Sequence, residues 1–111
     1  MIYCILPNGS TAEILLNNLS EADFDLSQAS VIMKDLKQRN AIAPDGGPLK
    51  GTNPENVTEK LIELGFSPGD ARLYQDKVSQ GKVLFAMTVE PESQPAAIEM
   101  FQDHSAELIK E

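Results

Sequence analysis

Residues 82–89, with the sequence KVLFAMTV, form the strongest strand signal in the chain. A continuous apolar run of this length, bounded by turn signals, is typical of a strand buried in a sheet. Residues 2–6 (IYCIL) form a second run of this kind, which the turn-forming residues 7–9 (PNG) close. Because neither run alternates apolar with polar residues, we expect both strands to be covered on both faces.

The segments that follow the two strands share one plan. Apolar residues at helical spacing predict helices over residues 11–20 and 95–104, and residues 10–13 (STAE) predict a capping box for the first. Residues 29–33 and the short, charged residues 106–110 predict a weaker strand in each unit, typical of a sheet edge. This order predicts an α+β fold, a ferredoxin-like sandwich of two split β-α-β units with a two-helix insertion. Its two apolar strands are expected to be adjacent and antiparallel.

The middle of the chain departs from this plan. Residues 35–55 are dense in turn-forming residues and predict a long loop. Asn53 and Pro54 are expected to start a helix, and Ser67 to cap a second one, within a helical insertion. The second sheet face needs a cover, from this insertion or from a second subunit, and we expect a homodimer that buries the sheet face or an insertion helix. The parts of the single domain 1–111 are a first β-α-β unit (1–34), a Gly/Pro-rich loop (35–55), a helical insertion (56–80) and a second β-α-β unit (81–111).

The charge of the chain limits its partners. The net charge is −8 and the pI is near 4.5. Nucleic-acid affinity depends on Lys and Arg, so this balance argues against a nucleic-acid partner and against an anionic membrane surface. Residues 34–50 form the only basic patch. Residues 1–10 lack the features of a signal peptide, and Cys4 has no partner for an intramolecular disulfide, so we expect a cytoplasmic protein.

Two sets of residues, one in the insertion and one in the opening unit, match the pattern of a known protein family. In the insertion they are Leu64, Gly65, Phe66, Ser67, Asp70, Ala71, Tyr74, Val78 and Gly81. In the opening unit they are Ala12, Leu15, Leu19, Phe24 and Val31. Together they resemble the small bacterial general stress protein domain of the heat-induced stress protein type. The resemblance implies a stress-associated cytoplasmic protein, and it implies no reaction, since these positions are caps, helix stops and apolar contacts.

The residue types that most often carry catalysis form no recognisable constellation in the sequence. His104 is the only histidine, and its neighbours Asp103 and Ser105 are too close in sequence to converge on it as a catalytic triad requires. Cys4 has no Lys or Arg nearby in sequence, which favours an inert buried thiol over a reactive one. We therefore predict no catalytic residue, no metal site and no cofactor.

A ligand site is predicted where glycine, positive charge and a flexible segment coincide. The loop offers backbone N–H groups to an anion, and Tyr74 is a further candidate whose alternative role is packing. The candidate ligand-binding residues are Arg39, Asp45, Gly46, Gly47, Lys50 and Tyr74.

The leading functional prediction is a non-enzymatic, stress-associated binding or regulatory module of unknown partner, for which another protein is one candidate. One alternative is a small-molecule sensor that uses the loop at 43–51 and the insertion helices. The other is an enzyme of the dimeric ferredoxin-like oxygenase type, which rests on fold analogy.

Overall fold

The computed structural model describes residues 1–35, 49, 52 and 54–110. Each predicted strand and helix is confirmed, with short 3-10 turns added at Leu26–Gln28 and Pro91–Ser93. Most of the loop predicted at 35–55 lies outside the described residues. In chain order the elements are β1 (Ile2–Leu6), α1 (Gly9–Glu21), β2 (Ala29–Ile32), α2 (Val57–Glu63), α3 (Pro68–Ser79), β3 (Val83–Met87), α4 (Gln94–Asp103) and β4 (Glu107–Lys110).

The four strands form one antiparallel sheet in the order β2-β3-β1-β4. The two apolar strands β1 and β3 are central and pair antiparallel, with Cys4 opposite Phe85, as the sequence predicted. The shorter strands β2 and β4 are the edges. The chain is therefore an α+β domain built on a four-stranded antiparallel sheet.

Helices α1 and α4 cover one face of this sheet. Leu15 and Leu19 of α1 and Phe101 of α4 are fully buried there against β1 and β3. The ring of Phe101 meets that of Phe85 edge-on, with centroids 5.5 Å apart. Burying one such large apolar side chain stabilises the fold by about 1.5–3 kcal/mol. These contacts therefore hold both α1 and α4 on this face of the sheet.

Helices α2 and α3 cover the opposite face. Leu61 of α2 and Val78 of α3 are buried in a second core with Tyr3, Ile5 and Leu84 of the central strands. The insertion is therefore the cover that the second face requires, within a single chain. A dimer that buries this sheet face is not compatible with that packing, which leaves an insertion helix as the predicted interface.

The starts of three helices differ from the sequence prediction. Helix α1 begins at Gly9 with Asn8 as its N-cap, because Asn8 has an extended backbone and its side-chain oxygen accepts from the Thr11 N–H at 2.8 Å. This replaces the capping box predicted at residues 10–13. Helix α2 begins at Val57, and Pro54 lies in the turn before it. The carbonyl of Pro54 accepts a hydrogen bond from the Gln75 side chain.

Helix α4 begins at Gln94, one residue before the predicted start, so Pro95 lies inside its first turn. A proline is tolerated there because first-turn N–H groups have no partner within the helix. The predicted cap at Ser67 is confirmed, with Ser67 Oγ accepting from the Asp70 N–H at 3.3 Å. None of the helices in the described part of the chain is long and apolar enough to cross a membrane.

Candidate functional site

Tyr74 is the one predicted ligand-binding residue that the structure places. It lies on α3, buried against the second face of the sheet. The other five predicted residues, Arg39, Asp45, Gly46, Gly47 and Lys50, lie outside the described residues.

The surroundings of Tyr74 are those of a packed core residue. Its ring lies 5.5 Å from that of Phe66, whose other side meets Tyr3 edge-on at 4.8 Å. Its hydroxyl donates a hydrogen bond to the main-chain carbonyl of Leu108. Burial raises the pKa of the Tyr74 hydroxyl above its ordinary value, so the group stays protonated. Tyr74 therefore joins α3 to β4, the packing role that the sequence left as its alternative.

A groove of about 210 Å³ lies between α3 and β4, next to Tyr74. Two leucines line it with much of their surface exposed, Leu73 at 40% and Leu108 at 36%. Its rim carries one charge of each sign, because Lys110 Nζ lies 2.8 Å from Asp70 Oδ2. We call this feature the α3–β4 groove; its lining is Asp70, Leu73, Tyr74, Leu108, Ile109 and Lys110.

Strand β4 is irregular where it forms the groove. Tyr3 is opposite Lys110 and Ile5 is opposite Glu107, so β4 contains one more residue than β1 over this interval, a β-bulge. Leu108 lies within it at φ 54, a left-handed conformation that is strained for leucine. The hydroxyl of Tyr74 satisfies the carbonyl of this residue, and the Leu108 side chain is left at the surface. A bulge of this kind blunts a sheet edge against strand addition.

Cys4 and His104, whose side-chain types often carry catalysis, are both engaged in the fold. The Cys4 thiol is fully buried, and burial raises its pKa, which keeps it protonated and unreactive. His104 Nδ1 lies 2.6 Å from the carbonyl oxygen of Met100, which can only accept, so Nδ1 carries the proton. His104 Nε2 then accepts from Asn18 Nδ2 at 2.8 Å. His104 therefore links α4 to α1 as a structural residue.

A second cleft, of about 440 Å³, opens where the turn after α1 meets the connection from β3 to α4. Phe24, Met87 and Val89 give it an apolar floor, and Asp23, Asp25 and Glu90 line its rim. We call it the acidic cleft. Among the described residues, no Lys, Arg or His forms an ion pair with these three carboxylates. The described residues also contain no cluster of His, Cys, Asp and Glu side chains that could hold a metal ion.

Asp25 is held in its ionised form. Its carboxylate accepts from the Ser27 hydroxyl at 2.6 Å and from the Ser27 N–H at 3.0 Å. These two bonds lower the pKa of Asp25 below its ordinary value. The rim of the acidic cleft is therefore negative at neutral pH.

The cleft belongs to a wider separation of charge between the two helical layers. Residues 1–33 and 83–106, which form α1, α4 and strands β1 to β3, contain eight acidic residues and no Lys or Arg. The remaining segments, 34–82 and 107–111, contain nine acidic and nine basic residues. The first set accounts for the whole charge of −8, and the second is neutral. We call the first set the acidic layer, and we call the described residues of the second set, seven acidic and six basic, the neutral layer because their charges nearly cancel.

Geometry and charge are the properties from which a function can be inferred for this chain. Comparisons with protein-family models, with curated proteins and with solved structures find no match. Sequence patterns missed the α3–β4 groove, which no local signal marks. The acidic layer could be predicted, because the sequence shows that residues 1–33 and 83–106 contain no Lys or Arg.

Proposed function

We propose that the protein is a non-catalytic binding module that docks a partner protein with a basic surface onto its acidic layer. The observation that carries the proposal is the separation of charge, which gathers the whole net charge of −8 in α1, α4 and their adjoining segments. A one-signed field over a whole layer steers and selects oppositely charged partners. The apolar floor of the acidic cleft can receive the aliphatic stem of a Lys or Arg while its head meets the rim carboxylates.

The packing of the described residues supports binding over catalysis. Both faces of the sheet are filled by helices, and every buried side-chain nitrogen or oxygen that the structure describes has a hydrogen-bond partner. Cys4 and Tyr74 have raised pKa values and are buried, while both nitrogens of His104 are bonded within the fold. The sensor alternative depends on the loop at 43–51, which no observation on the described residues favours.

The proposal assigns the chain to the ferredoxin-like fold. The strand order β2-β3-β1-β4, antiparallel throughout, supports this assignment, as do the two crossover helices α1 and α4 on one face. Helices α2 and α3 are then an insertion between the two split β-α-β units.

The proposal includes a homodimer in the cytoplasm that acts in a general stress response. The free thiol of Cys4 is of the kind that stays reduced in the cytoplasm. The stress association is what the resemblance to the heat-induced stress protein type implies. Its motif positions have structural roles: Ser67 caps α3, Gly65 and Gly81 adopt positive φ at helix ends, and Tyr74 joins α3 to β4.

Affinity capture from the stressed native cell tests the binding proposal. The bait is the wild-type chain beside a variant that loses three rim charges, Asp23→Asn/Asp25→Asn/Glu90→Gln. Asn tolerates the left-handed φ of 65 at position 23, so this variant keeps the turn. We expect mass spectrometry to find a protein that the wild type retains at low salt and releases at high salt. The rim variant should not retain this protein at either salt concentration.

The matched control removes three exposed charges from the neutral layer, Glu55→Gln/Glu59→Gln/Glu63→Gln. This control should retain the same protein as the wild type. If the control loses the protein as fully as the rim variant does, net charge rather than the acidic layer governs binding. If no retained protein depends on the rim charges, the proposed function is wrong.

A further inference from the structure

The separation of charge limits which surfaces two copies of this chain can bring together. A contact between two acidic layers would oppose eight acidic residues to another eight with no Lys or Arg to compensate them. Opposed like charges cost several kcal/mol at an interface. The neutral layer, with seven acidic and six basic residues in the described part of the chain, carries no comparable penalty.

The neutral layer also holds most of the large apolar side chains that the described structure leaves exposed. Ile62 of α2, Leu73 of α3 and Leu108 of β4 are each more than a third exposed. Leu73 and Leu108 lie together in the α3–β4 groove, whereas Met1 and Ile14 are the exposed large apolar residues of the acidic layer. The two leucines form a small apolar patch that a second protein surface can cover.

The rim of the α3–β4 groove is complementary to itself. It carries one acid, Asp70, and one base, Lys110, on its two sides. Asp70 and Lys110 are paired within each chain, and because a two-fold contact of one residue with another is always formed twice, an exchange of partners between copies would give two equivalent Asp70–Lys110 pairs. Leu73 and Leu108 lie in the same groove, so a two-fold axis along it would allow Leu73 of each copy to pack on Leu108 of the other.

We infer that the occupant of the α3–β4 groove is a second copy of this chain. This inference rests on the proposed homodimer and identifies its interface. Two subunits meet through α3 and β4 about a two-fold axis, Leu73 of each packs on Leu108 of the other, and both acidic layers face outwards. The bulge in β4 keeps the contact one of side chains rather than a continuous sheet. The dimer therefore presents two acidic layers, and two acidic clefts, to partners.

Sedimentation equilibrium of three single variants tests the interface. Leu73→Asp and Leu108→Asp each place a carboxylate in the groove, and Asp accepts the left-handed φ of 54 at position 108. We expect each to weaken dimerisation by about tenfold or more, since each removes a central apolar contact. Ile14→Asp is the matched control, because it puts the same charge on an exposed aliphatic position of α1 that is 53% exposed. It should change the dimer dissociation constant by no more than about twofold.

Far-UV circular dichroism and urea unfolding show whether each variant keeps its fold, and two groove variants from different elements guard against one that does not. A wild-type mass near 12.1 kDa at every loading overturns the homodimer, and this inference with it, while the capture experiment still decides the binding function. A wild-type dimer that both groove variants leave intact overturns the interface alone. Dissociation by Ile14→Asp but not by Leu73→Asp would place the contact on the acidic layer and overturn it equally.

Discussion

Replacement of Tyr74 by Phe removes a single hydroxyl and tests whether this residue is structural. The Tyr74 hydroxyl donates to the carbonyl of Leu108, which holds β4 against α3 at the bulge. The phenyl ring keeps its contacts with Phe66, so packing is preserved. Only the hydrogen bond is lost.

The expected loss follows from the setting of that bond. A hydrogen bond within a protein contributes about 0.5–1.5 kcal/mol net. This hydrogen bond is only partly buried, which keeps the loss below the full penalty for a buried unpaired group. The bond also helps to hold Leu108 at φ 54, a conformation that costs leucine about 1–2 kcal/mol. We therefore expect the free energy of unfolding to fall by about 1 kcal/mol, which lowers the Tm by about 4 °C for a domain of this size.

Urea unfolding at one protein concentration measures this loss, with Tyr3→Phe as the matched control. Tyr3 belongs to the same aromatic cluster, and its hydroxyl donates to the weak acceptor Sδ of Met1, at 3.5 Å. Its removal should cost less than about 0.5 kcal/mol. If Tyr74→Phe is as stable as Tyr3→Phe, or more stable than the wild type, the hydroxyl is not a structural donor and the assignment of Tyr74 to packing is refuted.

Three further outcomes are expected. Folding raises the pKa of Cys4 and Tyr74, so the folded state keeps protons that the unfolded state releases at about pH 8.5–10. The free energy of unfolding should therefore be constant at neutral pH and fall as the pH rises through that range. Urea midpoints that stay flat to about pH 10.5 would contradict this. Cys4 should not react with a thiol reagent in the native protein and should titrate as one thiol in denaturant; rapid native labelling would mean that β1 is exposed. Leu61→Ala should lose about 2–5 kcal/mol in urea unfolding, whereas Ile62→Ala, one residue along α2, should stay within about 0.5 kcal/mol; similar losses for both would show that α2 does not cover the sheet.

The proposed dimer bears on how the binding function would work. Two copies joined through their neutral layers carry two acidic layers on opposite sides. A partner with two basic segments gains affinity from the second contact without any new interaction, provided that its linker spans both clefts. Binding that weakens when Leu73→Asp separates the subunits would be the expected consequence.

The elements of this fold are determined by local patterns in the sequence. The apolar runs at 2–6 and 82–89 and the helical spacings after them predicted the strands and helices that the structure contains. The absence of polar alternation in both runs predicted a sheet covered on two faces, because a face open to water cannot carry a row of apolar side chains. Ser67 was recognised as a cap because its partner, the Asp70 N–H, is three residues away.

The candidate surfaces depend on contacts between distant parts of the chain, and only the tertiary structure decided them. Tyr74 meets Leu108 across 34 residues, and Lys110 meets Asp70 across 40, so no local pattern marks the groove that they form. The sequence left open whether the insertion or a second subunit covers the second sheet face, because the answer depends on how much apolar surface α2 and α3 bury once folded. The gap in Lys and Arg was visible in the sequence, but it became one acidic layer only when the pairing of β1 with β3 brought the two ends of the chain together.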